Sequence, residues 1–113
     1  MINRIQAAAE CLAAAKLLYK RHLVNAYEGN VSIRVGDSIF ITPTQICKEL
    51  LTPDDLVEVD IASGAIIRAG KGRQPSSELK LHLCCYRNRG DAQAVAHAHP
   101  PYATSFALRC EPI

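Results

Sequence analysis

The run Val31-Ser32-Ile33-Arg34-Val35-Gly36-Asp37-Ser38-Ile39-Phe40-Ile41-Thr42 alternates apolar and polar side chains on both sides of Gly36-Asp37. Successive side chains of a strand point to opposite faces, so each half reads as a half-buried strand. Two such runs joined by a two-residue, glycine-containing turn predict a hairpin. Downstream, Leu56-Val57-Glu58-Val59-Asp60 is a third strand, entered from the turn-like Thr52-Pro53-Asp54-Asp55. Ser63-Gly64 then turns the chain into a short fourth strand, Ala65-Ile66-Ile67. Residues 69–75 are rich in glycine and charge and read as a loop.

Upstream of the hairpin the period changes. Residues 2–22 predict a helix capped by Asn3, with Ile5, Leu12, Leu17, Leu18 and intervening alanines as its apolar face. Residues 76–87 predict a second helix with Leu79, Leu83 and Tyr86 on one side. Ala94-Val95-Ala96-His97-Ala98-His99 reads as a buried strand stopped by Pro100-Pro101, and a last helix runs from Tyr102 to Leu108. There is no internal repeat or low-complexity segment. Helix, strand run, helix, strand, helix implies an α/β (α+β) layered sandwich, an antiparallel-rich central sheet flanked by helices.

Composition agrees with one modest domain. The 113 residues are 49% hydrophobic and 21% charged, which argues against disorder, collagen and coiled coil. The net charge is +2 and the basic residues form no long run, which points away from nucleic acid. No apolar stretch approaches the roughly 18–20 residues needed to span a bilayer, and Glu10, Lys16 and Lys20 break up the alanine-rich start, so no membrane or secretory role is expected. Cys11, Cys47, Cys84, Cys85 and Cys110 are an odd count without a CxxC pair, most of them in apolar surroundings. A reduced, cytoplasmic protein is the expectation.

Four groups of residues could carry chemistry. In a strand, His97 and His99 share a face at about 6.6 Å along the backbone, close enough to converge on one metal ion. The alternative is a hydrogen-bonded pair of core or surface histidines. Small apolar neighbours make unpaired imidazoles costly, and the following prolines put the pair at a strand end, both of which favour the metal. Catalytic zinc usually takes three protein ligands, and Glu78, His82, His22 and the thiols are the remaining candidates. Pro75-Ser76-Ser77-Glu78 opens the second helix: Ser76 or Ser77 is a good N-cap and Glu78 complements the dipole, yet the same N–H groups and hydroxyls suit a phosphate. Glu28-Gly29-Asn30 and Thr42-Pro43-Thr44 flank the hairpin, and with Ser76 and Ser77 they make three loop pieces able to gather donors around one small anion.

Gly29-Asn30-Val31-Ser32, Ile41-Thr42-Pro43-Thr44, the turn Leu51-Thr52-Pro53-Asp54-Asp55-Leu56-Val57, Pro75-Ser76-Ser77-Glu78 and His97-Ala98-His99-Pro100 occur in that order. From about residue 5 onward the chain closely resembles the class II aldolase/adducin family, especially its zinc-dependent fuculose-phosphate-type aldolases. The resemblance implies that His97 and His99 are zinc ligands and that Glu78 is the acid/base carboxylate, also able to bind the metal. Another divalent metal is compatible with the same ligands. It implies a substrate phosphate held by Gly29, Asn30, Thr44, Gln45, Ser76 and Ser77. Such enzymes split a ketose 1-phosphate, of the fuculose or the deoxy- or methylthio-pentulose kind, into dihydroxyacetone phosphate and an aldehyde. The resemblance further implies that zinc stabilises the enediolate as a Lewis acid, that Glu78 moves the proton, and that the assembly is a homotetramer.

Two departures from the family pattern are expected to matter. Gln45 stands where family aldolases often have glycine, which narrows the phosphate loop. Residues 1–113 match only about the first half of a family domain, without its third histidine ligand and its C-terminal tyrosines, so the domain is expected to be incomplete and weak in activity alone. Glu78 favours an aldolase over the sugar-phosphate 4-epimerases, whose residue there resembles aspartate. Decarboxylases and dehydratases of the family share His-x-His, and an adducin-like non-catalytic domain is the further alternative, against which the intact His97, His99 and Glu78 argue.

Overall fold

The computed structural model describes residues 3–25 and 28–112. Helix α1 spans Arg4–Lys20 and is capped by Asn3, whose Oδ1 accepts the Gln6 N–H at 2.8 Å. Ile2, the expected first residue of this helix, lies outside the described residues. The expected apolar face holds in part: Leu12 and the alanines Ala7 and Ala15 are buried, together with Cys11, whereas Ile5 and Leu17 are exposed. Ala7, Cys11 and Ala15 fall four residues apart on one stripe with Leu12 beside it, and the small alanine and cysteine side chains let the helix lie close against the sheet.

The hairpin forms as its sequence predicts. Strand β1 (Asn30–Val35) pairs antiparallel with β2 (Ser38–Ile41), and Val35 opposite Ser38 leaves the two-residue Gly36-Asp37 turn. Strands β3 (Val57–Asp60) and β4 (Ile66–Ala69) continue the sheet on one side, and β5 (Ala94–His97) adds to β1 on the other. The order is β4-β3-β2-β1-β5, antiparallel throughout.

Alternation divides the side chains between two layers. Val31 and Phe40 pack with Ala7, Cys11, Leu12 and Ala15 of α1. Ile39, Ile41, Val57 and Val59 turn the other way and pack with Leu83 and Tyr86 of α2 (Leu79–Asn88). The sheet therefore lies between α1 and α2, a layered sandwich as expected. Helix α2 begins at Leu79, later than the predicted start at residue 76, because Ser77 and Glu78 form a turn closed by the Leu79 N–H on the Ser76 carbonyl at 3.0 Å.

The expected buried strand over residues 94–99 is also corrected. Strand β5 ends at His97, and its residues alternate between exposed and half-buried. Among the described residues β5 pairs only with β1, so its outer edge is uncovered. The chain then leaves the ladder, and the Leu23 carbonyl takes the His99 N–H at 2.6 Å. Helix α3 (Pro101–Leu108) follows, with Tyr102, Phe106 and Leu108 exposed.

A polar brace supports the entry to β3. The Thr52 N–H and hydroxyl donate to Asp55 Oδ2 at 2.9 and 3.0 Å, closing a capping box on the 3-10 turn Pro53–Asp55. Arg73 Nε donates to Asp55 Oδ1 at 3.0 Å, and Lys71 Nζ lies 3.4 Å from the same oxygen. Burial pushes the Asp55 carboxyl up, but the Thr52 N–H, Arg73, the Thr52 hydroxyl and Lys71 outweigh it and bring its pKa to about 2. The five cysteines are free; only Cys11 is buried, and Cys84 and Cys110 are exposed, which corrects the expectation that most sit in apolar surroundings.

Candidate active site

The candidate residues collect at one end of the sheet because three backbone links tie their loops together. Asn30 at the start of β1 is the cross-strand partner of His97 at the end of β5. Thr42 closes on β1 from the end of β2: its N–H donates to the Val31 carbonyl at 3.0 Å, and its Oγ1 accepts the Val31 N–H at 3.2 Å. The third link joins residues 42–44 to 74–76. Ser76 N–H donates to the Thr42 carbonyl and Thr44 N–H to the Gln74 carbonyl, both at 3.0 Å, around the Pro43–Pro75 bridge.

Gly29 and Asn30 are buried, Thr44 is half-buried, and Gln45, Ser77 and Glu78 are exposed. Gly29 has φ +85°, and a Cβ there would overlap the Val24 side chain and stand 3.0 Å from the His97 carbonyl oxygen. Only glycine lets the chain approach β5 this closely. Gln45 has φ +61°, the left-handed region that favours glycine, so this loop keeps a glycine-like backbone while carrying a side chain.

Ser76 is buried, and its Oγ accepts the Glu78 N–H at 3.2 Å, which leaves its own hydroxyl proton free to donate elsewhere. Glu78 is the N-cap residue of α2, and its side chain makes no capping bond. One turn on, the His82 N–H donates to the Glu78 carbonyl at 3.3 Å.

The two strand-end histidines meet. Their ring centroids are 4.9 Å apart at an interplanar angle of 38°. His97 Nδ1 is buried and has no hydrogen-bond partner among the described residues, a costly condition for an imidazole that has no further ligand. The pair therefore fits two positions around a divalent ion. Among the described residues no third His, Cys, Asp or Glu completes a set, so Glu78 is not brought to the pair as a ligand.

The other histidines are not ligands of this pair. His22 is exposed and lies with His99, Lys20, Glu28 and Ser105 along an open cleft of about 1190 Å³. His82 is fully buried. Its Nδ1 lies 2.6 Å from Ser32 Oγ, its Nε2 faces Asn30 Oδ1, and Ser32 Oγ is 2.8 Å from the Tyr86 hydroxyl. With both ring nitrogens occupied, His82 has no lone pair left for a metal. Burial, and then His97, lower its pKa to about 4, so the ring is neutral at pH 7.

Sequence reasoning missed Ser32 and Tyr86 as partners in this network. Ser32 reads from the sequence only as a polar position of the alternating hairpin. The available signal was that Ser32, His82 and Tyr86 are polar residues on faces that otherwise pack apolar side chains.

Residues 9–113 match the family model described as the class II aldolase and adducin N-terminal domain. The chain belongs to this family. An L-fuculose phosphate aldolase of Methanococcus maripaludis is 41% identical over 98 residues, covering 87% of this chain and 52% of that one. A relative from Nocardia farcinica, described as a probable bifunctional methylthioribose-1-phosphate isomerase/methylthioribulose-1-phosphate dehydratase, is 39% identical over 101 residues, covering 89% and 18%. The solved structure of an L-fuculose 1-phosphate aldolase superposes with a TM-score of 0.83 at 34% identity, covering 93% of this chain and 49% of the other. The chain thus spans about half the length of the aldolases it matches. No helix among the described residues is long and apolar enough to cross a membrane.

Proposed function

We propose that this chain carries the phosphate- and metal-binding half of a class II aldolase that splits a ketose 1-phosphate into dihydroxyacetone phosphate and an aldehyde. The observation that supports the reading is the pairing of Asn30 with His97, which brings a residue proposed for the anion beside the histidine pair. Gly29, Asn30, Thr44, Gln45, Ser76 and Ser77 hold the substrate phosphate through backbone and side-chain donors, fixing the sugar's position relative to Glu78. His97 and His99 hold zinc or a similar divalent ion, with further ligation from outside the described residues. When bound, the ion supplies Lewis-acid polarisation of the substrate oxygens. Glu78 moves the proton: its carboxylate takes the hydroxyl proton of the departing carbon, which becomes the aldehyde as the carbon–carbon bond breaks, and the resulting carboxyl gives that proton to the carbon left behind. The same reading has four copies assembling in the cytoplasm.

The Nocardia farcinica relative favours a second reading, in which the same groups remove water from a methylthiopentulose 1-phosphate. One assay separates the two. Purified protein, metal-depleted and then reloaded with zinc, is given L-fuculose 1-phosphate, and dihydroxyacetone phosphate is followed with a coupled dehydrogenase. Zinc-dependent release that is abolished in Glu78→Gln supports the aldolase. Release that persists unchanged in Glu78→Gln removes the carboxylate from the mechanism. Water loss from methylthioribulose 1-phosphate without release from fuculose 1-phosphate establishes the dehydratase.

A further inference from the structure

Asn30 can be useful to an anion only if its amide is turned the right way, because its carbonyl end would repel a phosphate and its NH2 end would donate to it. The two ends have the same shape, so packing alone does not choose between them. Something must fix the flip. The candidate is the buried file Tyr86–Ser32–His82–Asn30, which runs from α2 through β1 to the edge of the proposed anion site.

Donors and acceptors along this file are mutually determined. Asn30 Oδ1 only accepts, so His82 Nε2, which faces it, carries the ring proton and donates. In a neutral imidazole the other nitrogen is then an acceptor, so the Ser32 hydroxyl donates to Nδ1 at 2.6 Å. The Ser32 oxygen in turn accepts from the Tyr86 hydroxyl at 2.8 Å. With the Asn30 oxygen turned toward the ring, each further member has one arrangement that satisfies its neighbours. Reversing the Asn30 amide would set its N–H against the ring proton unless His82 took the opposite tautomer and every donor in the file turned with it. The arrangement spends the Asn30 oxygen inside the protein and keeps its two N–H donors out of the file.

We infer that His82 is a positioning residue: held by Ser32 and Tyr86, it locks the Asn30 amide so that the NH2 group is presented to the substrate phosphate. The inference rests on the reading of Asn30 as part of the anion site. It also gives a fully buried histidine, four residues beyond Glu78, a task that a buried hydrophobe of the same volume would not perform.

The tautomer can be read directly in the wild-type chain. Nitrogen-15 spectra of the histidine rings, with His82→Gln used to assign the signal, are expected to show His82 protonated at Nε2 and bare at Nδ1 at pH 7. The opposite tautomer would reverse every donor in the file and overturn the inference.

Titration with inorganic phosphate separates the inference from the reading beneath it. Asn30→Ala and His82→Phe should each weaken phosphate binding by about tenfold, the scale of one lost hydrogen bond to a charged group. His82→Gln, whose side-chain N–H can still reach the Asn30 oxygen, should retain most of the affinity. Unchanged affinity in Asn30→Ala removes Asn30 from the anion site, and the inference falls with that reading. Weakened binding in Asn30→Ala with full affinity in folded His82→Phe leaves the anion site standing and refutes the positioning role. If His82→Phe does not fold, the wild-type tautomer decides the matter alone.

Discussion

Asn30 and His97 are direct partners across the β1–β5 ladder, so the residue assigned to the anion and the residue assigned to the metal are fixed relative to each other by backbone pairing. Neither depends on a flexible loop for its place. The residue before Asn30 is Gly29, and it faces the His97 carbonyl. One backbone contact thus sets the spacing between two chemical functions.

That contact leaves no room for a side chain. Gly29→Ala would place a methyl group inside the Val24 side chain at a φ of +85°. Left-handed strain and overpacking together should cost about 2–4 kcal/mol. Urea unfolding would show this as a lower midpoint at unchanged slope. Phosphate affinity should fall as well, because relieving the overlap means moving Asn30 away from β5.

Much of this arrangement was legible in the sequence, and the misses have physical causes. The Gly36-Asp37 turn fixes its own register, so β1 and β2 were readable from local chemistry alone. The face of α1 was not. Alanine, cysteine and leucine occur around the whole helix, and which stripe is buried depends on the sheet it meets, so Ile5 looked like core and is exposed. Strand β5 looked buried because Ala94, Val95 and Ala96 are small and apolar, whereas its exposure follows from its edge position, a property of topology. His82 could be placed one turn after Glu78, but the two hydrogen bonds that exclude it as a ligand come from β1, about 50 residues away in the chain.

Asp55 gives the fold an acid-sensitive brace. Its folded-state pKa of about 2 lies below the ordinary value of 3.8, so the unfolded chain binds the proton more readily. The stabilisation is complete above about pH 4 and is lost as pH falls toward 2, amounting to about 2 kcal/mol. Asp55→Asn should lower stability by about that amount at pH 7 and flatten the stability profile between pH 4 and 2. Thermal unfolding of both proteins across that range measures it. Parallel profiles would show that Arg73, Lys71 and Thr52 do not stabilise the charged form.

The histidine pair makes a separable prediction about metal. Two imidazoles whose ring centroids are 4.9 Å apart supply part of a site, and Glu78 does not join them. Elemental analysis after zinc loading and dialysis should show bound zinc in the wild-type chain, reduced by at least about tenfold in His97→Ala or His99→Ala. Glu78→Gln should keep its metal. Zinc lost equally in all three variants would make Glu78 a ligand and place its carboxylate closer to the pair than the described residues show.

Ser76 and Ser77 separate two roles that the sequence could not divide. Ser76 is buried and its Oγ accepts the Glu78 N–H at the start of α2, so its hydroxyl supports the helix in addition to its proposed role at the anion. Ser77 is exposed and is not the capping residue. Ser76→Ala should therefore cost about 1 kcal/mol of stability, the scale of one lost hydrogen bond, together with phosphate affinity. Ser77→Ala should leave stability within about 0.5 kcal/mol of wild type, as expected for an exposed site, and weaken phosphate binding alone. Unfolding midpoints and phosphate titrations on the two variants give the comparison. If Ser77→Ala destabilises the helix and leaves phosphate binding untouched, this serine serves the fold and the anion must be held by Asn30, Thr44 and Ser76 without it.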